Sequence, residues 1–319
     1  MNVAGGQPCL VVLGTGGTIA GTAVCSSDNL GYSAAQRSVQ VLLDGVGTVP
    51  VGIDLVSEQV AQVDSKDMDA AIWQALAARC QHYLRDPQVC GMVITHGTDT
   101  LEETAWFLHS VLPASKPVVL TCAMRPATAL FADGPQNLRD AVVVATQPGA
   151  QGVTVVCAGQ IHAAQRVQKV HPYRLNAFDS GDGGVLGWVE EGRVRMAQPW
   201  VTVALEADVE KAVLPSAACW PRVEIVVSHA GASAATVDAL VASGVQGLVV
   251  AATGNGTIHQ ALIPALERAE AMGVAVLVST RCVQGALVST PNRPPRWPWA
   301  PGLSPVKARI TLLLQLLHQ

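Results

Sequence analysis

The stretch Val89–Thr100, VCGMVITHGTDT, decides the fold class of this chain. It opens with a nearly continuous apolar run, Val89–Ile94, which is typical of a strand buried on both faces of a sheet. A glycine turn follows, and Leu101–Leu112 then shows helical spacing with Glu102 and Glu103 in its first turn. A buried strand that leads through a turn into a helix indicates an α/β protein with a parallel sheet.

The same alternation continues on both sides of this stretch. Further buried strands are predicted at Val11–Leu13, Pro117–Ala123 and Val153–Cys157, and helices at Met68–Leu84, with Ser65 as its cap, and at Asn137–Ala145. We therefore expect a larger N-terminal α/β domain, residues 1–189, built on a doubly wound and mainly parallel sheet.

A weakly periodic segment, residues 190–221, follows this domain and contains three prolines. It is predicted to be an interdomain connection. Alternation then resumes, with helices predicted at Ala234–Ala242, Ile258–Met272 and Pro305–Leu317, which indicates a smaller C-terminal α/β domain over residues 222–319. The proline-rich stretch 291–301, PNRPPRWPWAP, is predicted to be a rigid surface loop because prolines lack a backbone donor.

Composition excludes several classes of protein. Half of the 319 residues are apolar and the net charge is −4, which supplies a sizeable core and excludes a strongly basic surface for nucleic acid. The apolar runs are far shorter than the ~20 residues of a membrane span, and the first residues lack the pattern of a secretion signal. Eight cysteines without a C-x-x-C pair predict reduced thiols, a cytoplasmic location and no metal centre.

Two glycine turns carry hydroxyl groups directly after predicted strands. The first is Gly14–Gly21, GTGGTIAG, which includes Thr18; the second carries Thr98 and Asp99. Ligands of parallel sheets bind beyond the carboxyl ends of the strands, so we expect both turns to face one ligand. The first turn does not have dinucleotide-binding spacing, because Ile19 stands where the third glycine would be.

A threonine hydroxyl needs an activating neighbour before it can act as a nucleophile. Tyr32, in the polar loop Gly21–Ser38, and Lys169 are the candidate activators. His96 and Tyr83 are interpreted as packing residues. The chain contains no G-x-S-x-G elbow and no H-E-x-x-H helix, which removes the main support for serine-hydrolase and zinc-protease functions.

These segments resemble the bacterial-type L-asparaginase family, which includes asparaginase–glutaminases. Thr15–Gly21 matches the first signature of that family, and Gly91–Leu101 matches the second over its whole length. Weaker matches extend the similarity over nearly the whole chain. The resemblance implies a large and a small α/β domain, and a homotetramer whose sites are completed by a neighbouring subunit.

The resemblance also assigns roles to individual residues. Thr18 aligns with the nucleophile that forms a β-aspartyl ester, with Tyr32 beside it, and a second triad that relays protons aligns with Thr98, Asp99 and Lys169. Ser65 and Asp99 align with the residues that hold the α-carboxylate and the α-ammonium of the substrate. The substrate-binding set as a whole is Ser65, Lys66, Gly97, Thr98, Asp99 and Ala123.

The chain departs from the family pattern in the region that recognises the ammonium group. Lys66 stands where many periplasmic members have Gln, and Thr257 replaces an amide-bearing residue. No Asp or Glu follows Arg281, although those members supply an acid from there to the neighbouring subunit; Asn292 is the nearest counterpart.

Hydrolysis of L-asparagine to L-aspartate and ammonia, without a metal or organic cofactor and with L-glutamine as a possible minor substrate, is the leading hypothesis. We expect the loop Gly21–Ser38 to close over the substrate. Two alternatives keep the fold: an ammonia-generating subunit of a tRNA-dependent amidotransferase, and a catalytically idle amino-acid sensor.

Overall fold

The computed structural model describes residues 7–45, 51–201, 214–291 and 294–318. The chain forms two compact units, residues 1–214 and 215–319. Within the described residues, none of the helices combines the length and the apolar character that crossing a membrane requires.

Twelve strands and four helices make up the described part of the first unit. The strands are β1 (Cys9–Gly16), β2 (Thr22–Ala23), β3 (Tyr32–Ser33), β4 (Asp54–Val63), β5 (Val89–Thr95), β6 (Pro117–Thr121), β7 (Gly152–Cys157), β8 (Gln160–Ala163), β9 (Gln168–Lys169), β10 (Phe178–Asp179), β11 (Gly187–Glu190) and β12 (Arg193–Met196). The helices are α1 (Val39–Asp44), α2 (Ala70–Arg85), α3 (Leu101–Val111) and α4 (Gly134–Ala145).

An eight-stranded sheet forms the centre of this unit, in the order β12-β11-β8-β7-β6-β5-β1-β4. The five strands from β4 to β7 are parallel, and the remaining pairs are antiparallel. The central strands β1, β5, β6 and β7 are buried on both faces almost throughout, as their continuous apolar runs predict. The predicted α/β class with a mainly parallel sheet is confirmed.

Several elements differ from the sequence expectations, among them α2, β4 and β12. Helix α2 is capped by Asp69, whose carboxylate accepts a hydrogen bond from the Ile72 amide, which leaves Ser65 free for another contact. The edge strand β4 was not predicted, because its residues are mostly half-exposed and carry no apolar run. Strand β12 lies within the segment 190–221, where it pairs with β11 at the edge of the sheet. The division into residues 1–189, 190–221 and 222–319 stays a prediction.

The second unit contains a three-stranded parallel sheet. Its strands are β13 (Val223–Val227), β14 (Gly247–Ala252) and β15 (Ala275–Thr280), in that order, and its helices are α5 (Ala235–Ala242), α6 (Ile263–Ala271) and α7 (Pro305–Leu317). Helix α6 begins five residues later than predicted, because Pro264 occupies its first turn. The smaller C-terminal α/β domain is therefore confirmed.

The proline-rich stretch is more integrated into the second unit than its composition indicates. Trp297 is 3% exposed and packs in the core. The carbonyl oxygen of Pro298 accepts a hydrogen bond from the Val278 amide at 2.9 Å, so this part of the stretch follows the edge of β15.

Candidate active site

The first glycine turn leaves β1 and presents the Thr18 hydroxyl. Gly17 has a φ of 79°, in the left-handed region that favours glycine, and a 3₁₀ turn over Thr18–Ala20 follows. The Thr18 Oγ1 atom lies 2.7 Å from the hydroxyl oxygen of Tyr32. Tyr32 reaches this position because β2 and β3 form a short ribbon, and its ring lies beside Gly21.

The second glycine turn contacts the first directly. A Cβ atom on Gly17 would overlap the N and Cα atoms of Gly97, and a Cβ atom on Gly97 would lie 2.5 Å from the Ser65 Oγ atom. Only glycine fits between these three segments. The turn after β1 and the turn after β5 therefore meet at their backbones, with Ser65 against the second turn.

The Lys169 ammonium group binds both polar side chains of the second turn. Its Nζ atom donates to the Thr98 Oγ1 atom at 2.8 Å and to the Asp99 Oδ1 atom at 2.6 Å. Lys169 lies on β9, which pairs with β10 through Phe178, and its side chain is only 16% exposed. An ion pair that is largely shielded on the lysine side holds Lys169 in place more firmly than a fully exposed pair would.

Ser65 supports the second turn from the segment that follows β4. Its Oγ atom accepts a hydrogen bond from the Asp99 amide at 3.1 Å, and its carbonyl oxygen accepts one from the Thr100 hydroxyl at 2.7 Å. Ser65 is 2% exposed. The side chain predicted as a helix cap therefore links this segment to the start of α3.

The Lys66 side chain forms its ion pairs outside the cluster of Ser65, Thr98, Asp99 and Lys169. Its Nζ atom lies 2.5 Å from the Asp67 carboxylate and 3.5 Å from the Asp64 carboxylate, and its side chain is 61% exposed. The hydrogen bond to Asp67 raises the pKa of Lys66 above its ordinary value. The positive charge of Lys66 is therefore paired with acidic residues that are close to it in the sequence.

Ala123 lies behind the first turn and contributes packing. It is buried and clusters with Ile19 and Ala20, the two residues that follow Thr18. The Asp133 carboxylate fixes the adjoining backbone by accepting hydrogen bonds from the amides of Met124 at 2.9 Å and Arg125 at 3.0 Å.

The loop Gly21–Ser38 lies against the first turn and the segment after Ala123. The Ala35 amide donates to the Gly17 carbonyl at 3.0 Å, and the Gln36 amide donates to the Ala20 carbonyl at 2.7 Å. The Ala127 amide donates to the Gly21 carbonyl at 2.9 Å. These hydrogen bonds hold Tyr32 against Thr18; closure over a substrate stays a prediction.

His96 lies beneath the second turn and is completely buried. Its Nδ1 atom lies 2.7 Å from the Gly97 carbonyl oxygen, and its Nε2 atom lies 2.9 Å from the Thr104 hydroxyl on α3. Burial lowers the pKa of His96 to about 4. The sequence pattern indicates no role for Thr104 or Asp133, since neither stands in one of the two glycine turns.

The second unit contains one of the positions at which the chain departs from the family pattern. The Thr257 hydroxyl donates to the Thr253 carbonyl at 2.9 Å, and the Asn255 side chain binds the backbone of Val288. Asn292 lies outside the described residues. Across the ranges that the structure describes, no group of three or more His, Cys, Asp or Glu side chains could hold a metal ion.

Comparison with known proteins identifies the family. The family model of the asparaginase N-terminal domain matches residues 9–202, and that of the glutaminase/asparaginase C-terminal domain matches residues 222–319. The chain belongs to the asparaginase family. The resemblance drawn from the two glycine turns is confirmed.

Relatives cover nearly the whole chain. A protein named "Probable L-asparaginase periplasmic" from Haemophilus influenzae is 37% identical over 283 residues, 87% of this chain and 79% of the relative. A "Glutaminase-asparaginase" from Acinetobacter glutaminasificans is 35% identical over 316 residues, 96% of this chain and 94% of the relative. The crystal structure of a "Probable Cytoplasmic L-asparaginase" from Campylobacter jejuni has a TM-score of 0.88 and 35% identity, covering 98% of this chain and 96% of that one.

The buried imidazole predicts a specific loss of stability in acid. The pKa of His96 is about 4 in the folded chain, against 6.5 for a solvated imidazole, so between these values the unfolded chain binds a proton that the folded chain excludes. The free energy of unfolding therefore falls as the pH is lowered from 6.5 to 4, by roughly 3 kcal/mol from this group.

Urea unfolding of the wild type and of His96→Asn, at about pH 7 and about pH 4.5, measures this contribution. The wild type should lose about 2 kcal/mol more than the variant between the two pH values, because Asn does not titrate. An equal loss in both proteins would show that His96 is not kept neutral by burial.

Proposed function

We propose that this protein hydrolyses L-asparagine to L-aspartate and ammonia through a covalent ester on Thr18. The observation that carries the proposal is the bridge from Lys169 to Thr98 and Asp99, in a turn packed backbone to backbone against the turn of Thr18. The relatives named above as L-asparaginase and glutaminase-asparaginase support the same substrate class.

In the first step the Thr18 Oγ1 atom attacks the side-chain carboxamide carbon. The Tyr32 hydroxyl, 2.7 Å away, accepts the Thr18 proton and passes its own proton to the departing nitrogen. A C–O bond forms, the C–N bond breaks and ammonia leaves. Backbone N–H groups near Gly97 and Thr98 stabilise the negative charge that develops on the carbonyl oxygen, and one such donor is typically worth about 3 kcal/mol.

In the second step water attacks the ester, and Thr98 relays its proton. The Lys169 ammonium can only donate, so the Thr98 oxygen accepts that hydrogen bond and the hydroxyl proton of Thr98 points elsewhere. Thr98 takes a proton from the water and passes its own to the Thr18 oxygen as the ester opens. This restores both hydroxyl groups and releases L-aspartate, and Lys169 keeps its charge throughout.

Asp99 and Ser65 are proposed to bind the amino-acid end of the substrate. The Asp99 carboxylate attracts the α-ammonium group, and the Ser65 hydroxyl, which accepts from the Asp99 amide, is free to donate its proton to the α-carboxylate. Lys66 has no direct contact in this proposal, because Asp67 and Asp64 engage its charge. Gly97 and Ala123 are proposed to contribute through their small size, because Gly97 lets Ser65 and the first turn approach and Ala123 packs against Ile19 and Ala20.

L-Glutamine is proposed as a minor substrate, since relatives at 34–35% identity are named glutaminase-asparaginase. The two alternatives, an amidotransferase subunit and an amino-acid sensor, are not favoured by any of these relatives. The cytoplasmic location stays a prediction: all eight cysteines are free thiols, while one relative is named periplasmic.

Replacing either threonine by alanine should abolish turnover. Thr18→Ala removes the attacking oxygen and Thr98→Ala removes the proton relay, so each should lower kcat for ammonia release by at least about 10³-fold. Thr236→Ala, on the exposed side of α5, is the matched control and should keep the wild-type rate. Near-wild-type release by Thr18→Ala would refute the covalent mechanism, and the same result for Thr98→Ala would refute the relay.

A homotetramer is proposed on the family resemblance. Leu30, Leu130 and Phe131 are large apolar side chains that are 77%, 70% and 73% exposed, and their burial against another subunit would be favourable. Sedimentation equilibrium should give four times the mass of 33.2 kDa. A monomer with full activity would contradict the proposal that neighbouring subunits complete the site.

A further inference from the structure

A buried chain of hydrogen bonds connects α2 and α3 to the second glycine turn. The Trp73 Nε1 atom lies 2.9 Å from the Thr104 Oγ1 atom, which lies 2.9 Å from the His96 Nε2 atom. The His96 Nδ1 atom in turn lies 2.7 Å from the Gly97 carbonyl oxygen. Trp73 is 6% exposed, and Thr104 and His96 are fully buried, so water does not compete for these contacts.

The two ends of this series, an indole that can only donate and a carbonyl that can only accept, fix the direction of each hydrogen bond. An indole nitrogen can only donate, so the Thr104 oxygen accepts from Trp73. Burial lowers the pKa of His96 to about 4, so near neutral pH the imidazole is uncharged and has one N–H. A carbonyl oxygen can only accept, so that N–H is on Nδ1 and donates to Gly97. The bare Nε2 atom accepts the Thr104 proton.

The bond to the Gly97 carbonyl fixes the orientation of a peptide group. The Gly97–Thr98 peptide is planar and trans, so its N–H points away from the side on which His96 holds the carbonyl. Among the described residues the Thr98 amide has no hydrogen-bond acceptor, whereas the next amide, that of Asp99, donates to Ser65 at 3.1 Å. The Thr98 N–H is thus available to donate to the carbonyl oxygen of a substrate, on which negative charge develops during the reaction.

Both ends of this series of hydrogen bonds are held in place by further contacts. The Trp73 ring stacks on Phe107 of α3 with ring centroids 5.0 Å apart and an interplanar angle of 12°. The His96 amide donates to the Thr121 carbonyl at the end of β6, at 2.9 Å. The imidazole therefore has little freedom to turn, and neither has the peptide group that it holds.

We propose that His96 is a positioning residue for amide hydrolysis: directed by Trp73 and Thr104, it holds the Gly97–Thr98 peptide so that the Thr98 N–H faces the carbonyl oxygen of the substrate. This inference rests on the proposed function. Trp73, Thr104 and His96 are buried and do not touch the reacting atoms. In this proposal they nevertheless affect the rate of the chemical step.

Two substitutions of His96 separate positioning from packing. His96→Leu removes the donor to Gly97, whereas in His96→Asn the amide nitrogen takes the place of Nδ1 and can still donate. We expect His96→Leu to lower kcat for L-asparagine about 100-fold, with KM within about threefold, because misdirecting a fixed donor affects the transition state more than ground-state binding. His96→Asn should recover kcat to within about fivefold of the wild type.

A purely structural role would lower the stability of both variants and leave kcat per folded molecule unchanged. A wild-type kcat in His96→Leu, or an equal loss in His96→Asn, would therefore overturn the proposal. If His96→Leu does not fold, Thr104→Val should lower kcat about tenfold at unchanged KM while Thr104→Ser keeps it; equal kcat values in these two variants would overturn it. A wild type that releases no ammonia would instead refute the proposed function.

Discussion

The contact between the backbones of Gly17 and Gly97 is the constraint on which the rest of the site depends. Any side chain at either position would occupy the space that lets the turn after β1 meet the turn after β5. Because β1 and β5 are neighbouring parallel strands, both turns emerge at the same edge of the sheet. The glycines convert that proximity into contact, which places Thr18 and Thr98 on adjoining segments of chain.

Lys169 and His96 contact the second turn in different ways, Lys169 through its charge and His96 through a hydrogen bond to the backbone. Lys169 brings the ammonium group that binds the second turn, shielded to 16% exposure and paired with Asp99, so it can polarise Thr98 without seeking another partner. His96 is buried even more deeply and stays neutral, which suits it to orient a peptide rather than to exchange protons. The second turn is thus bound by a charged side chain, Lys169, and by an uncharged one, His96.

Sequence alone predicted those parts of the fold that rest on continuous apolar runs. The strand Val89–Thr95 and helix α3 lie where their patterns place them, since a strand buried on both faces must be apolar throughout. Strand β4 escaped prediction because an edge strand needs no such run. Two sets of contacts were also not predicted: the pairing of Lys66 with Asp67, and the series of hydrogen bonds that runs from Trp73 through Thr104 and His96 to Gly97. Both depend on side-chain directions that no spacing in the sequence encodes.

Thr18 is proposed to carry the acyl group of the substrate between the two steps of the reaction. Turnover of L-asparagine should be stopped with acid in the first milliseconds, and the digested protein analysed by mass spectrometry. The expected result is an aspartyl ester on the peptide that contains Thr18. An ester on the peptide that contains Thr98, or a burst of ammonia with no ester on Thr18, would contradict it.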